Sequence, residues 1–208
     1  MKIAILTFDE FNEIDSFVSL HILTRIEQDG WNVAIASPSE TVQSTSGVRI
    51  SAQQPIEFAN DADAVLFGGS PRSREIAEDM SIMSRLHLDP RRQLIGSQCA
   101  GAWFLAKLGL LETRPVCTSL KSRPGLAAKG IQVLDRPFVA SGNVASAGGC
   151  LASPYLAAWF ILHLAGREAA ERALNIVAPV GQKKQYVAGI LEVVSPFVAA
   201  GAKSVATG

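Results

Sequence analysis

The chain has 208 residues, 48% hydrophobic and 18% charged, with 19 Lys and Arg balancing 19 Asp and Glu. This length supports one full-sized domain over residues 1–208 with its own core, and zero net charge excludes the basic surface of a nucleic-acid binder. No apolar run reaches the roughly 18 residues of a membrane span, and three widely spaced cysteines without a C-x-x-C exclude a disulfide framework or zinc motif.

The chain opens directly on an apolar strand over residues 2–8, without the layout of a signal peptide, so a cytoplasmic location is expected. Apolar residues at Ile14, Phe17, Val18, Ile22 and Ile26 predict a helix over Ile14–Gln28, stopped by Gly30. A second strand is expected at Asn32–Ala36, then a small hairpin within 41–51. Ala64–Phe67 reads as a third buried strand that runs into Gly68-Gly69-Ser70-Pro71. Helical stretches follow at Arg72–Glu78 and Ser81–Leu88, ended by Pro90.

Leu94–Gln98 is a strand, Ala100–Leu108 a helix, and Cys99 sits between them. Short strands are expected at Val116–Thr118, and at Ile131–Asp135 paired with Phe138–Ala140. Asn143–Ala147 leads to Gly148-Gly149-Cys150, and helices follow at Pro154–Ala165, Glu168–Ile176 and Gln185–Val194. The residues after Gly201 are expected to fray. Strands alternating with helices imply one α/β domain, an open and mostly parallel sheet with helices on both faces. Its site is expected at the carboxyl ends of the strands, where the turns at Gly68-Gly69, Cys99 and Gly148-Gly149 would gather.

The chemistry centres on Gly96-Ser97-Gln98-Cys99-Ala100-Gly101. Small residues around a strand-to-helix turn allow the tight backbone of a nucleophile elbow, here with cysteine as the nucleophile. The helix N-terminus beyond it favours a thiolate. Asp15, just past the first strand, is the candidate acid partner. The Gly68-Gly69 turn could aim backbone N–H groups at an anion. Cys117 and Cys150 read as buried thiols, with a redox pairing to Cys99 as the other reading. His21, His87 and His163 do not follow strands and read as packed or surface residues, and Arg72 and Arg74 as a solvated helix face.

Together these segments resemble the ThiJ/PfpI superfamily of the class I glutamine amidotransferase-like fold. The resemblance is carried by Ile3-Ala4-Ile5-Leu6 with Asp15, Val65-Leu66-Phe67-Gly68-Gly69, the Cys99 elbow, and Ser146-Ala147-Gly148-Gly149. It spans residues 2 to about 166, and the aspartate at the acid position is similar to the isonitrile hydratase branch. The resemblance implies a flavodoxin-like sheet, a homodimer, Cys99 as nucleophile and Asp15 as acid. It also implies oxyanion or substrate contacts from Gly69 and Ala100, with Gly68 and Ser119 beside them.

Ser119 stands where many members carry a histidine, which disfavours amidase, protease or glyoxalase chemistry. Ala100 replaces the threonine of isonitrile hydratases. The expectation is a cysteine-dependent hydratase or hydrolase for a small electrophile, needing no cofactor or metal, with a redox sensor as the alternative. Three geometric expectations follow: a strained backbone at Cys99, the Gly69 N–H facing the space above the sulfur, and the Asp15 carboxyl near that sulfur with no histidine against it. The resting state expected is a thiolate beside a protonated Asp15.

Overall fold

In a computed structural model, which describes residues 1–198, the first strand lies inside the sheet. The sheet contains β1 (Lys2–Leu6), β2 (Asn32–Ser37), β5 (Gln54–Pro55), β6 (Ala64–Phe67), β7 (Leu94–Gln98), β8 (Phe138–Ser141) and β9 (Val144–Ala147). Their spatial order is β5-β2-β1-β6-β7-β9-β8, and β8 alone runs antiparallel, against β9. β3 (Thr41–Gln43) and β4 (Arg49–Ser51) form the separate hairpin expected within 41–51.

Burial on both faces explains the apolar runs, because alternate residues of a parallel strand enter opposite cores. Ala64 and Leu66 pack with Leu156, Trp159 and Phe160 of α6 (Ser153–Leu164). Val65 and Phe67 pack on the other face with Phe104 and Leu105 of α4 (Ala102–Lys107). The first face also holds α1 (Glu13–Leu23), α7 (Gly166–Val177) and α8 (Lys183–Val194). The second holds α2 (Ser73–Glu78), α3 (Met80–Met83) and α5 (Arg123–Ala128). Among the described residues no helix is long and apolar enough to cross a membrane; the apolar run at 156–164 is buried in α6.

Four expected elements differ. α1 ends at Leu23 instead of Gln28, because the Thr24 hydroxyl donates to the Leu20 carbonyl and the Trp31 indole N–H takes the Leu23 carbonyl. The segment 131–135 is not a strand partner of β8. It makes a single bridge, Val133 to Val116, while β8 pairs with β9 through a turn at Gly142, φ +59°. Val116–Thr118 is likewise no strand beyond that bridge. The helix expected over Ser81–Leu88 is only the four-residue α3, capped by the Asp79 carboxylate. The chain end after Gly201 lies outside the described residues.

Candidate active site

The elbow forms because each small residue meets a different obstacle. A Cβ on Gly96 would fall 2.6 Å from Leu156 of α6, and one on Gly101 would overlap the Phe67 carbonyl oxygen at the end of β6. The turn is thereby wedged between β6 and α6, and Cys99 adopts φ +54°, the left-handed region that non-glycine residues avoid. The Thr118 hydroxyl donates to the Cys99 carbonyl at 2.8 Å and pins the strained residue. Such strain costs of order 1–3 kcal/mol and persists where surrounding packing over-determines it.

The cleft above this turn has a volume of about 760 Å³. Asp15, Gly69, Cys99, Ala100 and Ser119 all line it; Gly68 does not. Gly68 donates its N–H to the Leu6 carbonyl at 3.0 Å and serves the turn. Gly69 is tied to the acid instead of facing open space: its N–H donates to Asp15 Oδ2 at 3.1 Å. A Cβ there would clash with that oxygen and lie 3.0 Å from the Ala100 nitrogen. Ser119 caps the turn into α5, its hydroxyl donating to Ser122 Oγ at 3.0 Å and accepting the Ser122 N–H.

Asp15 has no solvent exposure, and its Oδ1 has no hydrogen-bond partner. Burial pushes its carboxyl up to about 7, opposed by the neighbouring Cys150 thiol, the Gly69 N–H and the Cys99 thiol. Burial, then the Asp15 charge, then Cys150 hold the Cys99 thiol well above its ordinary range, opposed by the Ala100 N–H. Both shifts favour a protonated sulfur over the expected resting thiolate, beside a carboxyl raised to about 7. One backbone N–H at a 3₁₀ turn does not offset removal of the sulfur from water.

Cys150, expected as a buried thiol, is instead partly exposed and lines the cleft. Its sulfur lies 3.8 Å from Cys99 Sγ, and the donor atoms of Asp15, Cys99 and Cys150 all fall within 4.8 Å of one another. Metal binding is a chemistry that two thiols and a carboxylate at this spacing permit, alongside thiol chemistry. Asn12 joins them: its Oδ1 caps α1 through the Ile14 N–H, and its Nδ2 donates to Cys150 Sγ at 3.1 Å. Its capping contact is local to α1, whereas its contact with Cys150 spans 138 residues.

Cys117 is fully buried and apart from the cleft, and burial pushes its thiol up to about 11. No histidine lines the cleft: His163 packs on Trp159 and His21 contacts Arg25. Arg72 pairs with Glu75 as expected of a solvated face, but Arg74 lines the cleft with its guanidinium 5.2 Å from the centre of the Trp103 ring.

The fold and the strained elbow define an α/β protein with a cysteine presented at the carboxyl edge of a parallel sheet. The chain belongs to the DJ-1/PfpI family, whose model matches residues 1–161. Among solved structures it is similar to Schizosaccharomyces pombe DJ-1, with a TM-score of 0.73 at 16% identity, covering 86% of this chain and 100% of that one. Drosophila melanogaster DJ-1beta gives 0.72 at 20%, covering 85% and 96%. A cysteine-to-alanine mutant of a DJ-1 superfamily protein from Salmonella typhimurium gives 0.69 at 26%, covering 85% and 98%. No curated protein matches the sequence.

Proposed function

We propose that the protein is a single-domain, cysteine-dependent enzyme that adds the Cys99 sulfur to an electrophilic carbon of a small molecule. The observation that carries this reading is the buried Asp15 carboxyl, with one oxygen unpartnered, in the same cleft as the strained Cys99. A group titrating near 7 is populated in both forms at neutral pH, which suits a proton shuttle. Asp15 takes the thiol proton as sulfur attacks, then returns it to the carbon or nitrogen that has gained charge. Water resolves the adduct and frees the thiol.

An isonitrile is the substrate that best fits one thiol and one carboxyl without a histidine: its terminal carbon accepts sulfur and then the proton, and hydration releases an N-substituted formamide. Trp103, Pro71 and Leu120 supply an apolar wall for its organic group. A cytoplasmic homodimer completes this reading. The test is turnover of a panel of isonitriles, 2-oxoaldehydes and small amides, with Cys99→Ala as control. Hydration of an isonitrile that is abolished in the control supports it; turnover that survives Cys99→Ala overturns it.

A second reading, redox sensing, draws on the same sulfur and is favoured by the position of Cys150. In that case the panel gives no turnover while Cys99 reacts with oxidant.

A further inference from the structure

We infer that Cys99 and Cys150 are a dithiol pair that hydroperoxides convert to an intramolecular disulfide, with Cys150 as the resolving thiol. The inference rests on Cys99 being the reactive thiol but not on any carbon electrophile being its substrate. Two sulfurs 51 residues apart in the chain meet at 3.8 Å, and both line the same cleft. Ordinary contact would also bring two buried thiols together, but these are both partly exposed, whereas Cys117 is sealed in the core. Closing from 3.8 Å to the roughly 2.05 Å of a disulfide is a movement on the scale of side-chain rotation.

The surrounding groups serve each step. In the first, Cys99 sulfur attacks the outer oxygen of a hydroperoxide: the S–O bond forms, the O–O bond breaks, and the thiol proton passes through Asp15 to the departing alkoxide. The product alcohol leaves Cys99 as sulfenic acid. In the second, Cys150 sulfur attacks Cys99 sulfur: the S–S bond forms, the S–O bond breaks, and hydroxide leaves with the Cys150 proton as water. The two thiols lose two electrons and two protons, and one hydroperoxide becomes alcohol and water. The Asn12 side-chain N–H, pointing at Cys150 Sγ from 3.1 Å, stabilises the thiolate that makes the second attack. Cys150 itself follows Gly149, whose φ of +85° sets the chain direction that turns the sulfur toward the elbow. An external thiol restores the pair by exchange.

A cysteine without a neighbouring thiol proceeds under excess peroxide to sulfinic acid, which most reductants do not reverse. A resolving thiol within contact distance diverts it, so this site is expected to be reversibly, not terminally, oxidised.

The test uses the full chain, reduced, treated with chelator and exposed to stoichiometric hydrogen peroxide. Remaining thiols are alkylated in denaturant, and peptides are mapped by mass spectrometry without reduction. The expected result is a linked pair of peptides bearing Cys99 and Cys150, with Cys117 alkylated, fully reversed by dithiothreitol. Cys150→Ser should abolish the link and raise dimedone capture of Cys99 sulfenic acid by about tenfold. Cys99→Ala should abolish the link without raising capture at Cys150. Far-ultraviolet circular dichroism of each variant separates these outcomes from unfolding. The inference is overturned if wild-type Cys99 goes to sulfinic acid while Cys150 stays alkylatable, or if the link forms between two chains. Failure of every carbon electrophile to turn over would refute the enzymatic reading and leave this mapping unaffected.

Discussion

Two Gly-Gly turns follow parallel strands at the same edge of the sheet, and they do opposite work. Gly68-Gly69 is a place of close approach: a Cβ on Gly69 meets Asp15 and Ala100 at once, so glycine is needed because no volume is left. Gly148-Gly149 is a place of unusual backbone. Gly149 has open space around its Cβ position but adopts φ +85°, ψ 152°, a region essentially reserved for glycine. The first turn locks the acid to the nucleophile; the second delivers Cys150, with the Gln98 amide donating to the Gly149 carbonyl at 2.5 Å. One sequence signature thus serves two physical demands, steric at one turn and conformational at the other.

The sharpest way to break this contrast is to change what the first turn holds. Asp15→Asn keeps an oxygen for the Gly69 N–H but removes the proton shuttle, and turnover should fall by about 10²–10⁴-fold, measured as kcat on any substrate the panel yields. The same variant should alter stability in the opposite sense. The folded protein keeps the Asp15 proton up to about pH 7, whereas an unfolded chain releases it near pH 4. Between those values the native state binds more protons, so this group makes wild type lose stability as pH rises, with the loss complete above pH 7. Denaturant titrations from pH 4 to 8 should show Asp15→Asn gaining on wild type by up to on the order of 4 kcal/mol. A gap that does not grow with pH would show that the carboxyl ionises freely in the folded state.

Gly69→Ala comes next. The methyl must displace the carboxylate or the elbow, so turnover should drop by about 10²-fold through misplacement and stability by about 1–3 kcal/mol. Gly149→Ala has room for its methyl but not for its dihedrals. It should cost about 1–3 kcal/mol, and the yield of the Cys99–Cys150 disulfide should fall. If Gly69→Ala proved harmless and Gly149→Ala abolished turnover, the division between the two turns would be reversed. The smallest effect belongs to Asn12→Ala, which loses an N-cap worth about 1 kcal/mol and should slow disulfide closure without changing the first oxidation at Cys99, read by stopped-flow with dimedone trapping.

Much of the fold was legible because its causes are local. Short apolar stretches that run into a turn of small residues mark strands buried on both faces, and the bounds expected for Ala64–Phe67 and Leu94–Gln98 match the structure. Where sequence reading slipped, a tertiary partner intervened: the Trp31 indole took the carbonyl at the end of α1, and β9 took β8 from the segment at 131–135. Asp15 and Cys99 were legible as candidates because both follow central strands, so the topology alone brings them to one edge.

By itself the sequence determined the parallel α/β architecture, the small-residue frame around Cys99 and the gathering of three turns at the strand ends, since hydrophobic period and side-chain volume act within a few residues. Only the tertiary structure decided that Gly69 binds the acid, that Ser119 caps a helix turn, that Cys150 stands 3.8 Å from Cys99, and that burial raises the Cys99 thiol. Each of these depends on desolvation or on distances between segments far apart in the chain. Both are properties of the volume around a residue, which no stretch of its neighbours in sequence encodes.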